Sequence, residues 1–205
     1  MNISGRSEVA VGPWIQRPFN ILIKMGNALP HTKVKLVIGL ISNDASVLKK
    51  TEALVTKKFG PADYKSHVMD FRHTDYYNDE LGEDLNRVFI SMQRLISPEK
   101  IYRVKLITNG IERGFSIAGK RKINIDPGYL TLGKLVLLTT KDYSHRVYLG
   151  SGIYAEPTLR FQNGTYTYGD YTYPDYKSGD YIETFNDIRK LYKKQLTGVT
   201  GGKSK

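Results

Sequence analysis

Leu159-Arg-Phe-Gln-Asn-Gly-Thr-Tyr-Thr-Tyr168 decides the fold class. Asn163-Gly164 sits between two runs of strand-forming residues, and Asn-Gly accepts the left-handed backbone that a two-residue hairpin demands. Upstream, residues 123–125, 134–140, 145–149 and 154–161 carry the β-branched and aromatic composition of further strands. Within residues 129–139, Leu132, Leu135, Val136 and Thr139 also fit helical spacing. Downstream, Asp180 followed by Glu183 reads as a helix start. Ile182, Phe185, Ile188, Tyr192 and Leu196 then recur at the spacing of a closing helix.

The first half opens with Val34-Lys-Leu-Val-Ile-Gly-Leu-Ile41, a buried strand by composition. Ser42-Asn43-Asp44 follows as a cap for a helix ended by Gly60-Pro61. Residues 85–96 alternate like a strand, and Ser97-Pro98-Glu99 starts another helix with Ile101, Val104, Thr108, Ile111 and Phe115 on one face. Strands crowd the second half and a helix closes it. The expected architecture is therefore α+β: a single domain with a largely antiparallel sheet, a β-α start and the C-terminal helix packed on one face. Residues 33–196 make up that domain. Residues 1–32 carry Pro13, Pro18 and Pro30 without periodicity and read as an irregular N-terminal extension; residues 197–205, Gly-rich and basic, read as a flexible tail.

Composition narrows the chemistry. The 205 residues contain no cysteine, which removes thiol nucleophiles, Cys-ligated metals and disulfides and fits a reducing compartment. No stretch approaches the ~20 apolar residues of a membrane span, and no secretory pattern opens the chain, so a cytoplasmic protein with no membrane partner is expected. The sequence has no phosphate loop, no G-x-G-x-x-G after a strand, no H-E-x-x-H and no G-x-S-x-G. Its net charge of +11 is divided unevenly. Residues 61–84 hold two basic side chains against seven acidic ones, while residues 97–150 hold ten basic against four acidic. A basic block of this kind matches an anionic partner or a solvated surface.

Four segments carry candidate chemistry. Lys120-Arg-Lys-Ile-Asn-Ile-Asp-Pro-Gly-Tyr129 reads as cations before a strand that ends in a tight Asp126-Pro-Gly turn. Thr139-Thr-Lys-Asp-Tyr-Ser-His-Arg146 packs hydroxyls, an ammonium, a carboxylate, an imidazole and a guanidinium between two apolar strands. Lys141 and Arg146 there suit a phosphate, and His145 with Asp142 suits proton transfer; a polar hairpin loop explains the same letters. In Gly150-Ser-Gly-Ile-Tyr-Ala-Glu156 the glycines permit close approach of a ligand and Glu156 suits a base or a Mg²⁺ ligand, and a turn glycine pair with a surface carboxylate explains the same letters. Asp126 and Glu156 are the candidate ligands of a Mg²⁺ ion. Arg72-His-Thr-Asp-Tyr-Tyr77 supplies a second His–Asp pair, or a solvated acidic loop. Ten of the fifteen tyrosines lie between Tyr143 and Tyr192. Those of residues 166–181 read as rings over a core edge with their hydroxyls in water, rather than as a platform for bases.

Several segments together resemble the prokaryotic family catalogued as domain of unknown function 4416: Lys35-Leu-Val-Ile-Gly-Leu-Ile-Ser42, Phe59-Gly-Pro61, His73-Thr-Asp-Tyr-Tyr77, Asn124-Ile-Asp-Pro-Gly-Tyr-Leu-Thr131, Gly152-Ile-Tyr-Ala-Glu156 and Tyr173-Pro-Asp-Tyr176. The resemblance spans about residues 33–196; it implies one fold over that range and assigns no residue a role. Two functional expectations follow from the residues. The first is binding of, or action on, a phosphorylated small molecule such as a nucleotide, through Asp126, Lys141, Asp142, His145, Arg146 and Glu156. The alternative is an RNA-binding or ribosome-associated module that uses the basic 97–150 face.

Overall fold

The computed structural model describes residues 27–72 and 77–200; the His73–Asp75 pair lies outside them. Residues 31–200 belong to one compact unit built on a nine-stranded, wholly antiparallel sheet. The elements run β1 (Lys35–Ser42), α1 (Ala45–Phe59), β2 (Ala62–Lys65), β3 (Met69–Asp70), α2 (Asn78–Leu81), β4 (Asn86–Met92), α3 (Tyr102–Gly114), β5 (Asn124–Leu130), β6 (Lys134–Thr139), β7 (Val147–Gly150), β8 (Ile153–Gln162), β9 (Thr165–Tyr168) and α4 (Gly179–Thr200). In space the strands lie in the order β2-β4-β1-β5-β6-β8-β7, with β3 beside β4 and β9 beside β8. The α+β, antiparallel expectation holds.

The central strand explains the layering. Every residue of β1 is buried, and its side chains alternate between two cores. Leu36, Ile38 and Leu40 join Leu48 and Val55 of α1, Val104 of α3 and Ile125 of β5. Val37, on the other face, joins Phe89, Leu135, Leu159 and the Tyr181, Phe185, Ile188 and Tyr192 stripe of α4. Helices α1 and α3 thus cover one face and α4 the other.

Local chemistry sets most element ends. The Asp44 carboxylate accepts from the N–H groups of Ser46 (2.7 Å) and Val47 (3.2 Å) and so caps α1. Asn163 and Gly164 both adopt positive φ, at 52° and 85°, and close the β8–β9 hairpin. Ser97 caps a 3-10 turn at Pro98–Lys100 that leads into α3.

Three local expectations change. Ser178, not Asp180, caps α4: its Oγ accepts from the Tyr181 N–H at 3.4 Å, and Asp180 falls within the first turn. The helix continues to Thr200, into the segment read as a tail. Asp126-Pro127-Gly128 is not a turn but the middle of β5, with Asp126 opposite Gly39 and Pro127 opposite Ile38 of β1. Turn propensity is local, and an established partner strand overrides it.

Candidate functional site

The site begins with a break in the sheet. Strand β5 pairs with β1 along its whole length, but it meets β6 only at Gly128–Leu137, Tyr129–Val136 and Leu130–Leu135. Pro127 accounts for the break. Backbone groups alternate sides along a strand, and the Ile125 N–H and C=O point away from β1, so those of Pro127 point toward β6, where proline has no N–H to donate. Beyond Pro127 the two strands diverge. Helix α3 supplies what the missing neighbour would have: the Ile125 N–H donates to Glu112 Oε1 at 2.6 Å, and Lys105 Nζ donates to the Ile125 carbonyl at 2.7 Å.

The opening is a cleft of about 600 Å³, within the usual range for small-ligand sites. Strands β4 and β5 contribute Arg87, Asn124 and Asp126; α3 contributes Lys105, Asn109, Glu112 and Arg113 at successive turns. The end of β6 contributes Thr139, the β6–β7 connection contributes Lys141, Tyr143 and Arg146, and the 173–176 segment closes the wall with Tyr173, Asp175 and Tyr176. That connection is not the hairpin loop that sequence reading allowed for. Strand β8 lies between β6 and β7, so residues 140–146 cross the sheet end.

Arg87 forms the floor. Its side chain is 2% exposed and reaches Asp126 at 3.0 Å and Asp175 at 3.4 Å. The guanidinium carbon stands 5.2 Å from the ring centroids of both Phe71 and Phe89 and 5.7 Å from that of Tyr176. Gly39 makes this pairing possible, because a Cβ there would come within 2.5 Å of Arg87 Nη1. Burial by itself would raise the Asp126 carboxyl, but Arg87 and then Lys105 outweigh it and hold the carboxyl below its ordinary value.

A second arginine braces the opposite wall. Arg146 Nε donates to Glu156 Oε2 at 2.8 Å, Nη1 donates to the Lys141 carbonyl at 3.1 Å and Nη2 to the Tyr173 hydroxyl at 3.2 Å. Its guanidinium lies 4.3 Å over the Tyr143 ring. Arg121 forms a third brace, joining Glu80 (2.6 Å) and Glu112 (3.1 Å).

The expected site residues are thus partly assembled. Lys141, Arg146, Asp126 and Glu156 all line the cleft, with Arg146 and Glu156 paired to each other and Asp126 paired to Arg87. His145 stands behind the wall, its Nε2 3.3 Å from Glu156 Oε2 and its ring stacked on Tyr171 at 4.7 Å; Asp142 stands beside Tyr154, outside the lining. Among the described residues no group of three or more His, Asp or Glu side chains is placed to hold a metal ion. Sequence reading missed Arg87 and the α3 stripe. The stripe had a signal: Lys105, Asn109 and Glu112 recur at helical spacing beside an apolar face, where only apolar residues are needed for packing.

The family model of the domain of unknown function DUF4416 matches residues 32–192. The chain belongs to the DUF4416 family. That match takes in every strand, all of the cleft lining and most of α4, so the break between β5 and β6 lies wholly inside the DUF4416 domain. No curated protein and no solved structure matches the chain. No helix among the described residues is long and apolar enough to cross a membrane.

Around the floor the buried Tyr176 hydroxyl has no hydrogen-bond partner, while the Asn124 amide bonds the Asp126 carboxylate and Tyr181 lies against Arg87. Tyr176 and Tyr181 thus bury the hydroxyls that were expected to face water. An unpartnered buried hydroxyl is uncommon in a folded core and marks a place where water, ligand or stored strain completes the structure.

The carboxyl braces predict an acid response. Bonds from Arg121 hold Glu80 below its ordinary value against the opposing effect of burial. The folded state therefore binds fewer protons than the unfolded chain, and the contribution is fully present above the ordinary value of 4.5 and is lost as the pH falls through the lowered one. Urea midpoints followed from roughly pH 6 to roughly pH 3 should fall less steeply for Glu80→Gln than for the unaltered protein. Parallel curves would remove Glu80 from the account.

Proposed function

We propose that the cleft between β5 and β6 binds a small phosphorylated molecule. The observation that carries this reading is the charge of an enclosed recess: six cationic side chains, Arg87, Lys105, Arg113, Arg121, Lys141 and Arg146, face four carboxylates. Each of the four carboxylates is paired with an arginine of the wall, and the lining as a whole stays positive. Arg113 and Lys141 are the proposed phosphate contacts, with Asn109 and the Thr139 hydroxyl as neutral partners. Lys105 and Arg146, both from the basic 97–150 block, are buried in the wall. Their burial favours an enclosed ligand over a polyanion laid across the surface.

The proposal is one of binding, since His145 and Asp142 stand outside the lining. A thermal-unfolding panel of sugar phosphates and nucleotides, each beside its dephosphorylated counterpart, tests it. A phosphorylated ligand at ~100 times its Kd stabilises by about 2.7 kcal/mol, which raises Tm by several degrees. The Arg113→Ala/Lys141→Ala variant should lose that shift, measured against its own ligand-free Tm. No shift with any phosphorylated compound would end the proposal.

A further inference from the structure

We infer that the ligand is a nucleoside monophosphate, held by its phosphate inside the cleft and by its base against the tyrosines at the mouth. This rests on the phosphoryl-ligand reading and adds two observations to it. The first is the size of the charge surplus. Six lining cations stand against four lining carboxylates and against Glu80, which holds Arg121 from outside the lining, so the surplus is one to two positive charges, the complement of one phosphomonoester. A triphosphate would bring about twice that charge into a recess that already holds four carboxylates.

The second observation is the aromatic rim. Tyr143 and Tyr173 line the cleft yet remain 49% and 42% exposed, and both touch Arg146: one under its guanidinium at 4.3 Å, the other accepting from Nη2 at 3.2 Å. Arg146 thereby backs one face of Tyr143 and anchors the Tyr173 hydroxyl, while close to half of each residue stays exposed. Half-exposed rings held rigid at the mouth of a cationic cleft suit a planar group on the phosphate ester, because every base has a face that stacks on tyrosine. Tyr77, also half-buried, adds a third ring to the lining.

Calorimetric titration of the full chain tests the inference with the four common ribonucleoside monophosphates, ATP, ribose 5-phosphate and adenosine. At least one monophosphate should bind about tenfold or more tightly than ribose 5-phosphate, and also more tightly than ATP. Tyr143→Ala should remove that preference and leave ribose 5-phosphate affinity unchanged, whereas Tyr143→Phe should keep it. Ribose 5-phosphate binding as well as every monophosphate, or ATP binding best, would overturn the nucleoside monophosphate and leave the phosphoryl-ligand reading in place. Adenosine binding as tightly as its monophosphate, or no phosphorylated compound binding at all, would overturn both.

Discussion

Arg87→Met should lower the stability of the folded chain by about 3–5 kcal/mol, the usual loss when one partner of a buried ion pair is removed. Met nearly matches the aliphatic stem, so packing against Phe71, Phe89 and Tyr176 is largely kept. The cost is electrostatic. Asp175 is 7% exposed and Asp126 faces the cleft, and both lose the cation that reaches them at 3.4 and 3.0 Å. Arg87→Lys should recover little of the loss, since one ammonium cannot present two separate nitrogens to two carboxylates. The triple variant Arg87→Met/Asp126→Asn/Asp175→Asn should be more stable than Arg87→Met alone, because it removes the stranded charges with their partner. Urea unfolding measures all three. A triple variant less stable than the single one would show that the floor depends on hydrogen-bond geometry rather than on charge balance.

The residues of the floor also show where the sequence could be read and where it could not. The strands of the second half, the Asn163-Gly164 hairpin and the apolar stripe of α4 follow from periodicity and turn chemistry, which act over a few residues. So does the α1 cap at Asp44. The cleft does not, because its parts are brought together by strand order. Arg87 and Asp126 are 39 residues apart and meet only because β1 lies between β4 and β5 and carries a glycine at the crossing. Arg87 and Asp175 are 88 residues apart. Arg146 and Glu156 were picked as chemistry-bearing residues, and their pairing is the local exception: Val147 lies opposite Ala155 in the β7–β8 hairpin, a register that brings Arg146 beside Glu156. Asp126-Pro127-Gly128 misled for a related reason. Within a window of three residues Pro-Gly means a turn; between two strands the same Pro stops the pairing on one side, and the site opens there.

Gly128→Ala should be the most damaging single methyl group in the sheet, at a cost of about 3 kcal/mol, near the upper end for overpacking a closed site. An added Cβ would lie 2.4 Å from the Val136 carbonyl oxygen and 3.0 Å from Leu137 Cδ2. The nearer atom is backbone, so no rotamer change relieves the contact, and β5 and β6 must move apart. They have little to give up, because only three residue pairs join them and Gly128–Leu137 is the last before the break. Losing that pair lets the opening run down to Tyr129 and should widen the cleft as well as destabilise the fold. Gly133→Ala, in the turn of the same hairpin with nothing within 4 Å of its added Cβ, provides the control and should change stability by less than about 0.5 kcal/mol. Hydrogen exchange distinguishes the two effects. The Tyr129 and Val136 amides should lose protection in Gly128→Ala, while those of Ile38 and Leu40, on the β1 side, keep theirs up to the global limit. Equal protection at all four amides would mean that the three-pair junction is not the weak line of the sheet, and that the cleft is held open by its arginine braces alone.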